Sequence, residues 1–208
     1  MSDFNRKNHW ENIYHAKSIA EVSWFEIAPL TSLNLIHQNN SAYTVKIIDI
    51  GGGDSFLVDH LLELGYRDIT ILDISEKALN RAKKRLGKKS EQVKWIVADI
   101  TNFTPTEKYD IWHDRAAFHF LTQPNEISDY VKISKNSIVQ NGVLIIGTFA
   151  EDGPLKCSGI EIKRYSEKTL KNCFIKDFNL DYYTQYNHPT PFNTFQNFTF
   201  CRFTKFTS

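Results

Sequence analysis

Three successive glycines, residues 51–53, follow a short apolar run. The segment IIDIGGGDSFL covers residues 47–57, and its first four residues are typical of a buried strand. Apolar residues then recur at helical spacing up to Leu64, and Gly65 supplies a helix stop. Glycines at a strand-to-helix turn let the backbone approach a ligand, and the helix start presents free N–H groups to it. This pattern predicts an α/β fold with a ligand site at the turn.

The same alternation of strand and helix continues through most of the chain. The predicted strands cover residues 45–50, 69–72, 93–98, 109–113 and 143–149. The predicted helices cover residues 56–64, 75–87, 127–139 and 166–174. This order indicates a mostly parallel sheet with helices on both faces, a three-layer Rossmann-like architecture. Two aromatic runs, 178–186 and 195–206, flank a His-Pro-Thr-Pro turn and predict an antiparallel hairpin at the sheet edge.

Composition narrows the classes of function. The 208 residues carry 25 Lys plus Arg against 24 Asp plus Glu, a net charge of +1, which argues against a nucleic-acid backbone as partner. No apolar run is long enough to predict a membrane segment, and the first residues do not resemble a signal peptide. Three scattered cysteines without a Cys-x-x-Cys pair indicate reduced thiols in a cytoplasmic protein and no metal site.

We expect a single domain over residues 1–208. Residues 43–208 form its cofactor-binding core, and residues 1–42 form a helical segment that contains Trp10 and Tyr14. Ligands in open α/β sheets bind at the C-terminal ends of the strands. The N-terminal segment therefore either covers that edge as a lid or packs on the sheet, and the sequence does not separate the two arrangements.

Aspartates occur at the C-terminal ends of three successive predicted strands. Asp49 precedes the glycines, Asp73 follows 22 residues after Gly51, and Asp99 ends the third strand. An acid at the second position can accept both hydroxyls of a ribose. An acid at the third can accept the amino group of an adenine. A dinucleotide site would need a glycine where Phe56 stands, so we favour another nucleoside-containing ligand, with a nicotinamide-dependent oxidoreductase as the alternative.

With these features the chain resembles the class I S-adenosylmethionine-dependent methyltransferases, whose seven-stranded sheet ends in a reversed hairpin. The resemblance implies S-adenosylmethionine as cofactor. It implies that Asp49, Gly51 and Gly53 form the turn at the methionine side, that Asp73 binds the ribose, and that Ile74, Asp99 and Ile100 surround the adenine. The aromatic residues of the lead-in segment, Trp10 and Tyr14, look like those of small methyltransferases and are expected at the cofactor.

Two features depart from the family pattern. A third glycine, Gly52, makes the turn similar to that of aminopropyltransferases. The Asn/Asp-Pro-Pro-Tyr/Phe tetrapeptide of many amino-methylating enzymes is replaced by IWHDRAAFHFL, residues 111–121. We expect this segment to follow the fourth strand and to lie beside the transferring methyl group.

The replacement segment contains the candidate catalytic residues. Histidine has an ordinary pKa of roughly 6.5 and suits a general base, so His113 is the candidate base and Asp114 the group that orients it or contacts the cofactor. The structural alternative is an ion pair between Asp114 and Arg115. His119 is expected to pack in the core. Cys157, in the loop after the fifth strand, is either a reactive thiol or a half-buried small residue.

The expected function is methyl transfer to a small molecule or a protein side chain. A non-catalytic module that only binds S-adenosylmethionine is a further alternative. The sequence identifies neither the acceptor nor the oligomeric state.

Overall fold

The computed structural model describes residues 4–38 and 42–207. Seven of its strands form one sheet in the order β3-β2-β1-β4-β5-β9-β8. Strands β1 to β5 pair in parallel, whereas β9 is antiparallel to both β5 and β8. The strands are β1 Lys46–Ile50, β2 Asp68–Asp73, β3 Val93–Val97, β4 Tyr109–Arg115, β5 Ile138–Phe149, β6 Lys156–Cys157, β7 Ile160–Glu161, β8 Phe178–Pro189 and β9 Phe195–Lys205. The predicted Rossmann-like sheet with a terminal hairpin is confirmed, and β6 and β7 form a separate short ribbon.

Six α-helices flank the sheet in the described ranges. They are α1 Arg6–Ala16, α2 Leu30–His37, α3 Leu57–Leu64, α4 Glu76–Leu86, α5 Pro124–Ser137 and α6 Glu167–Phe174. The predicted boundary signals operate as expected. Ser75 caps α4 by accepting from the Ala78 N–H, and Gly65 ends α3 in the left-handed conformation. No helix in these ranges combines the length and apolar character that crossing a bilayer requires.

Hydrophobic side chains cover both faces of the sheet. Neighbouring residues of β1 belong to opposite core clusters, Ile47 to one and Ile48 to the other, because side chains alternate along a strand. Side chains of α2, α3 and α4 pack on the first face, and those of α5 and α6 pack on the second. The strands are therefore anchored from both sides, which holds their C-terminal ends in fixed positions.

Three predicted boundaries were wrong. Helix α5 ends at Ser137, and Ile138 already begins β5 because it pairs with Tyr109 of β4 across a β-bulge. Strand β4 continues beyond His113 to Arg115, and β8 continues to Pro189. The extension of β4 matters most, because it moves Asp114 and Arg115 from a predicted loop into the sheet.

The sequence left open whether the N-terminal segment covers the strand edge or packs on the sheet, and in the structure its two helices do one each. Leu35 and Ile36 of α2 belong to the hydrophobic core of the first sheet face. Helix α1 instead lies over the C-terminal strand edge, where Trp10 and Tyr14 line a cavity. The division into a lid of residues 1–42 and a core of residues 43–208 stays a prediction, and residues 1–3, 39–41 and 208 lie outside the described ranges.

Candidate active site

A cavity opens at the C-terminal ends of the central parallel strands. Its empty space, together with the mouth that is open to solvent, measures about 1110 Å³. Its lining joins the strand edge to the N-terminal segment and to β9. Of the predicted site residues, the cavity is lined by Trp10, Tyr14, Asp49, Gly51, Asp73, Ile74, Asp99, Ile100 and His113. The topology thus brings together side chains that the sequence places up to 103 positions apart.

The glycine turn is shaped by two close approaches. A Cβ atom on Gly52 would lie 2.6 Å from Asp49 Oδ2 and 2.7 Å from Ile71 Cγ2, so the third glycine makes room for the Asp49 carboxylate. A Cβ atom on Gly53, whose φ is +49°, would lie 2.7 Å from Tyr14 Oη and 3.2 Å from Asp73 Oδ2. Gly53 does not itself line the cavity, but its missing side chain lets the α1 helix approach Asp73.

Asp73 is a buried carboxylate at the end of β2. Its Oδ1 atom accepts from the Ser75 N–H at 2.8 Å, and the Gly53 N–H also donates to the side chain. Arg81 pairs with the neighbouring acid Asp54 at 3.3 Å. Burial, together with the negative charges of Asp54 and Asp49, raises the pKa of Asp73 to about 7. A polar ligand that donates hydrogen bonds to this carboxylate would compensate for its burial.

Asp99 lies two residues beyond β3. Its Oδ1 atom accepts from the Thr101 N–H and hydroxyl at 2.9 and 2.8 Å, which caps a short 3₁₀ turn. Its Oδ2 atom accepts from Arg6 of α1 at 3.3 Å, and Arg6 also contacts Glu126 of α5 at 2.5 Å. An adenine amino group at Asp99 would therefore share the carboxylate with Arg6. The sequence predicted Asp99 at this position but gave no indication that Arg6 pairs with it.

The C-terminal half of α1 is also held over the cavity by polar contacts, in this case with α4. Glu11 accepts from the first N–H groups of α4, at Glu76 and Lys77, and so acts as an added cap for that helix. Arg81 of α4 donates to the carbonyls of Tyr14 and Lys17. The rings of Trp10 and Tyr14 thereby form the roof, and Trp10 contacts Phe120 edge-on at 5.0 Å.

His113 contacts Asp49 rather than its sequence neighbour. The two residues are register partners on β4 and β1, so their side chains share one face of the sheet. His113 Nδ1 lies 2.7 Å from Asp49 Oδ1, and Nε2 lies 2.9 Å from the Ser32 hydroxyl of α2. Because an ionised carboxylate only accepts, Nδ1 carries the proton and Nε2 is left as the basic nitrogen.

The prediction that Asp114 orients His113 was wrong. Side chains alternate along β4, so Asp114 points to the opposite face of the sheet. It accepts from the N–H groups of Ala117 and Phe118 and from the Tyr130 hydroxyl at 2.7 Å. Burial raises the pKa of Asp114 to about 6. It does not line the cavity, and we withdraw it as a catalytic candidate because it holds the turn after β4.

Arg115 was expected, in the structural alternative, to pair with Asp114 but pairs with Glu26 at 3.3 Å. It lines the cavity, donates to the Trp24 carbonyl at 3.2 Å, and its guanidinium carbon lies 5.0 Å from the centre of the Phe198 ring. The sequence placed Arg115, with the rest of residues 111–121, beside the methyl group, but it gave no indication that Ser32 lines the cavity. The alternation of β4 would have placed Arg115 on the same side as His113 if the strand end had been known.

The two remaining candidates, His119 and Cys157, are buried and have no activated side chain. His119 is fully buried, accepts from the Phe149 N–H at 3.3 Å, and has its pKa lowered to about 3 by burial, in agreement with the predicted packing role. Cys157 is buried and lines the cavity, and burial raises the pKa of its thiol to about 11. It is therefore a protonated wall residue at neutral pH, not an activated thiolate.

Sequence comparison with known proteins matches this chain to one family. The methyltransferase domain family matches residues 47–137. Malonyl-[acyl-carrier protein] O-methyltransferase 2 of Ilyobacter polytropus is 26% identical over 114 residues, which are 54% of this chain and 42% of that protein. N-terminal Xaa-Pro-Lys N-methyltransferase 1 of Homo sapiens is 28% identical over 118 residues, covering 55% of this chain and 52% of that protein. The chain thus spans about half the length of these relatives or less.

Structural comparison supports the fold over nearly the whole chain. The N-methyltransferase NodS from Bradyrhizobium japonicum, in complex with S-adenosyl-L-homocysteine, superimposes with a TM-score of 0.74 at 15% identity. The match covers 97% of this chain and 99% of NodS. The glycine turn, the sheet order and the match over residues 47–137 agree, and together they make this chain similar to the class I S-adenosylmethionine-dependent methyltransferases.

Proposed function

We propose that the protein transfers the methyl group of S-adenosylmethionine to a small molecule with an apolar, predominantly aromatic body. The observation that carries this proposal is the continuity of the cavity. A single space is lined at one end by Asp73, Ile74 and Asp99, and at the other by the His113–Asp49 pair and an aromatic wall.

The described residues fit S-adenosylmethionine at the first end. The buried carboxylate of Asp73 offers free acceptor capacity for the two ribose hydroxyls. Ile74 and Ile100 provide apolar surfaces beside Asp99, which would accept from the adenine amino group. Gly51 and the Asp49 turn would face the methionine portion. When bound, the cofactor supplies an electrophilic methyl group on a sulfonium.

The second end of the cavity is walled by apolar rings rather than built as a shallow acidic groove. Its walls are the side chains of Trp24, Phe120, Phe149, Cys157 and Phe198. Trp24 packs edge-on against Trp10 at 5.8 Å, and Phe149 packs edge-on against Phe198 at 4.9 Å. Flat apolar walls of this kind favour a small aromatic compound, whereas a protein lysine would need an open channel lined by acids.

His113 and Ser32 would move the proton of the acceptor. The Ser32 hydroxyl lines the cavity and occupies the basic Nε2 atom of His113. We infer that the acceptor's proton passes to Ser32 Oγ while Ser32 passes its own proton to Nε2. Asp49 stabilises the resulting imidazolium through Nδ1 at 2.7 Å. The protein's remaining task is to align the acceptor with the methyl group and to exclude water.

The alternatives have less support. Phe56 stands at the position where a dinucleotide site needs a glycine, and its ring packs 4.2 Å from the Arg85 guanidinium carbon. The family match also disfavours a nicotinamide enzyme. The paired base at the cavity is an argument against a module that only binds the cofactor. The cytoplasmic location stays a prediction that rests on the cysteine pattern.

Transfer of a labelled methyl group tests the proposal. The purified protein is incubated with S-adenosylmethionine that carries a tritiated methyl group, together with either the small-molecule or the protein fraction of a cell extract. We expect label in the small-molecule fraction, and loss of that signal with His113→Gln. Label confined to the protein fraction would contradict the small-molecule assignment, and label in neither fraction would favour the non-catalytic alternative.

A further inference from the structure

A buried cation lies at the acceptor end of the cavity. The Arg115 side chain is 12% exposed and lines the cavity beside Phe198 and Cys157. Its Nη1 atom donates to the Trp24 carbonyl, and its Nη2 atom lies 3.3 Å from Glu26 Oε2 and 3.4 Å from His188 Nδ1. Burial and the positive charge of Arg115 lower the pKa of His188 to about 4. His188 is therefore a neutral acceptor toward Arg115.

Arg115 has more N–H donors than the described residues offer it hydrogen-bond acceptors. A guanidinium has five N–H groups, and the Nε atom of Arg115 is buried without a hydrogen-bond partner among the described residues. Glu26 divides its carboxylate, because its Oε1 atom accepts from the Tyr186 hydroxyl at 2.9 Å. A buried donor of a charged group without a partner costs free energy. A ligand oxygen would supply the missing acceptor.

Arg115 lies on the same strand and the same face of the sheet as His113, the proposed base. Residues two apart on a strand project from the same face, so the Cα atoms of His113 and Arg115 are roughly 6.6 Å apart. This distance is about the width of one aromatic ring with a substituent. An acceptor could therefore present its nucleophilic atom toward His113 and Ser32 while a second group reaches Arg115.

We propose that Arg115 binds a carboxylate on the acceptor, which makes the substrate a small aromatic acid methylated at an atom one ring or short chain away. This inference rests on the proposed function. A monoanion suits the site better than a phosphate, because Glu26 already neutralises part of the Arg115 charge and Asp49 contributes a further negative charge to the cavity. The guanidinium fork matches the two oxygens of a carboxylate.

Binding of matched acids and amides tests the assignment. The full chain, saturated with S-adenosylhomocysteine, is titrated calorimetrically with benzoate, phenylacetate, cinnamate and 4-hydroxybenzoate, and with the amide of each. We expect at least one acid to bind tenfold or more tightly than its amide, and Arg115→Gln to abolish that preference. Affinity for S-adenosylhomocysteine should change less than threefold in this variant.

The variant Glu26→Gln separates substrate binding from a structural role of Arg115. The amide oxygen that this substitution introduces can still accept from the Tyr186 hydroxyl, but the neutral side chain no longer competes with a ligand anion. We therefore expect the variant to bind the acids about threefold more tightly than the unmodified protein does. Equal binding of acids and amides, binding of neither, or weaker acid binding by Glu26→Gln would overturn the inference. Loss of S-adenosylhomocysteine binding by the unmodified protein would instead overturn the proposed function.

Discussion

The two ends of the cavity are built in different ways. Below the roof formed by α1, the cofactor end uses residues between Asp49 and Ile100, each at or just beyond the end of one of three neighbouring strands. The acceptor end depends on pairs that are far apart in the chain. Ser32 and His113 are 81 positions apart, Glu26 and Tyr186 are 160 apart, and Ser23 and His188 are 165 apart.

This difference explains why the two ends make different demands on the chain. A nucleoside site follows from strand ends that the fold itself brings to one edge. The acceptor end needs the N-terminal segment, β4 and the terminal hairpin to meet. Changes in residues 23–32 or in the hairpin are therefore expected to alter the acceptor end and to preserve the cofactor end, whereas changes in α1 are expected to alter the roof over the cofactor.

The largest effect is expected for Asp73→Ala. Two hydrogen bonds from ribose hydroxyls to a buried carboxylate contribute about 1.5–3 kcal/mol each, so affinity for S-adenosylhomocysteine should fall by about 10³-fold. Calorimetric titration measures it. Asp68→Ala, at the opposite end of the same strand, is the matched control and should bind normally. An Asp73→Ala variant with unchanged affinity would remove this residue from the cofactor end.

Substitution of His113 by Gln should lower kcat by about 10²-fold, because loss of a general base typically costs at least that much. Cofactor affinity should stay within threefold, which would show that the two ends act independently. Asp49→Asn should lower kcat less, and the double variant should be no slower than His113→Gln alone, since Asp49 acts through the imidazole. Steady-state kinetics measures these effects, and substitution of the surface histidine, His60→Gln, serves as the control. If the losses in kcat of the His113 and Asp49 variants were additive in the double variant, the two residues would not act as a pair.

Asp73→Asn should stabilise the ligand-free protein as it weakens cofactor binding. Because the pKa of Asp73 is raised from 3.8 to about 7 in the folded state, the folded protein binds more protons than the unfolded chain between these values, and stability falls as pH rises through that window. The neutral variant avoids this loss. We expect its free energy of unfolding to exceed that of the unmodified protein by up to about 4 kcal/mol at pH 8, and to match it near pH 4.

Urea denaturation at both pH values checks this expectation. A variant that is less stable at pH 8 would show that the Asp73 carboxylate is better compensated in the ligand-free fold than its burial indicates.

The smallest effect is expected for Arg6→Gln. Arg6 joins α1 to Asp99 and Glu126 through partly exposed ion pairs, and such pairs contribute up to about 1 kcal/mol. S-adenosylhomocysteine should dissociate two- to fivefold faster because the roof opens more readily. Stopped-flow fluorescence measures this rate. The neighbouring exposed residue provides the control as Lys7→Gln, and an equal acceleration in both variants would argue against a specific Arg6 contact.

The sequence predicted the cofactor end of the cavity more completely than the acceptor end. The glycine turn and Asp73 carry local signals, a strand pattern followed by glycine or acid, and the parallel topology places such residues together. His113 was also singled out, but its partner was not. Asp114 is adjacent in the chain, whereas Asp49 is adjacent only in the register of β1 and β4.

The boundaries that failed have a common cause. Whether β4 ends at His113 or Arg115 depends on pairing with β5, and whether residue 138 is helical or extended depends on pairing with Tyr109. These are long-range hydrogen bonds that local apolar periodicity does not encode. The same reason kept Ser32, and Glu26 as the partner of Arg115, from being recognised, because nothing in their local sequence indicates which strand they approach.

A crystal structure of the protein with S-adenosylhomocysteine would decide whether one cavity holds the cofactor and directs it toward the base. We expect both ribose hydroxyls on the Asp73 carboxylate, the adenine between Ile74 and Ile100, and the sulfur directed toward the space between His113 and the aromatic wall. A cofactor bound elsewhere, or seated with its sulfur facing away from that space, would contradict this assignment of the two ends.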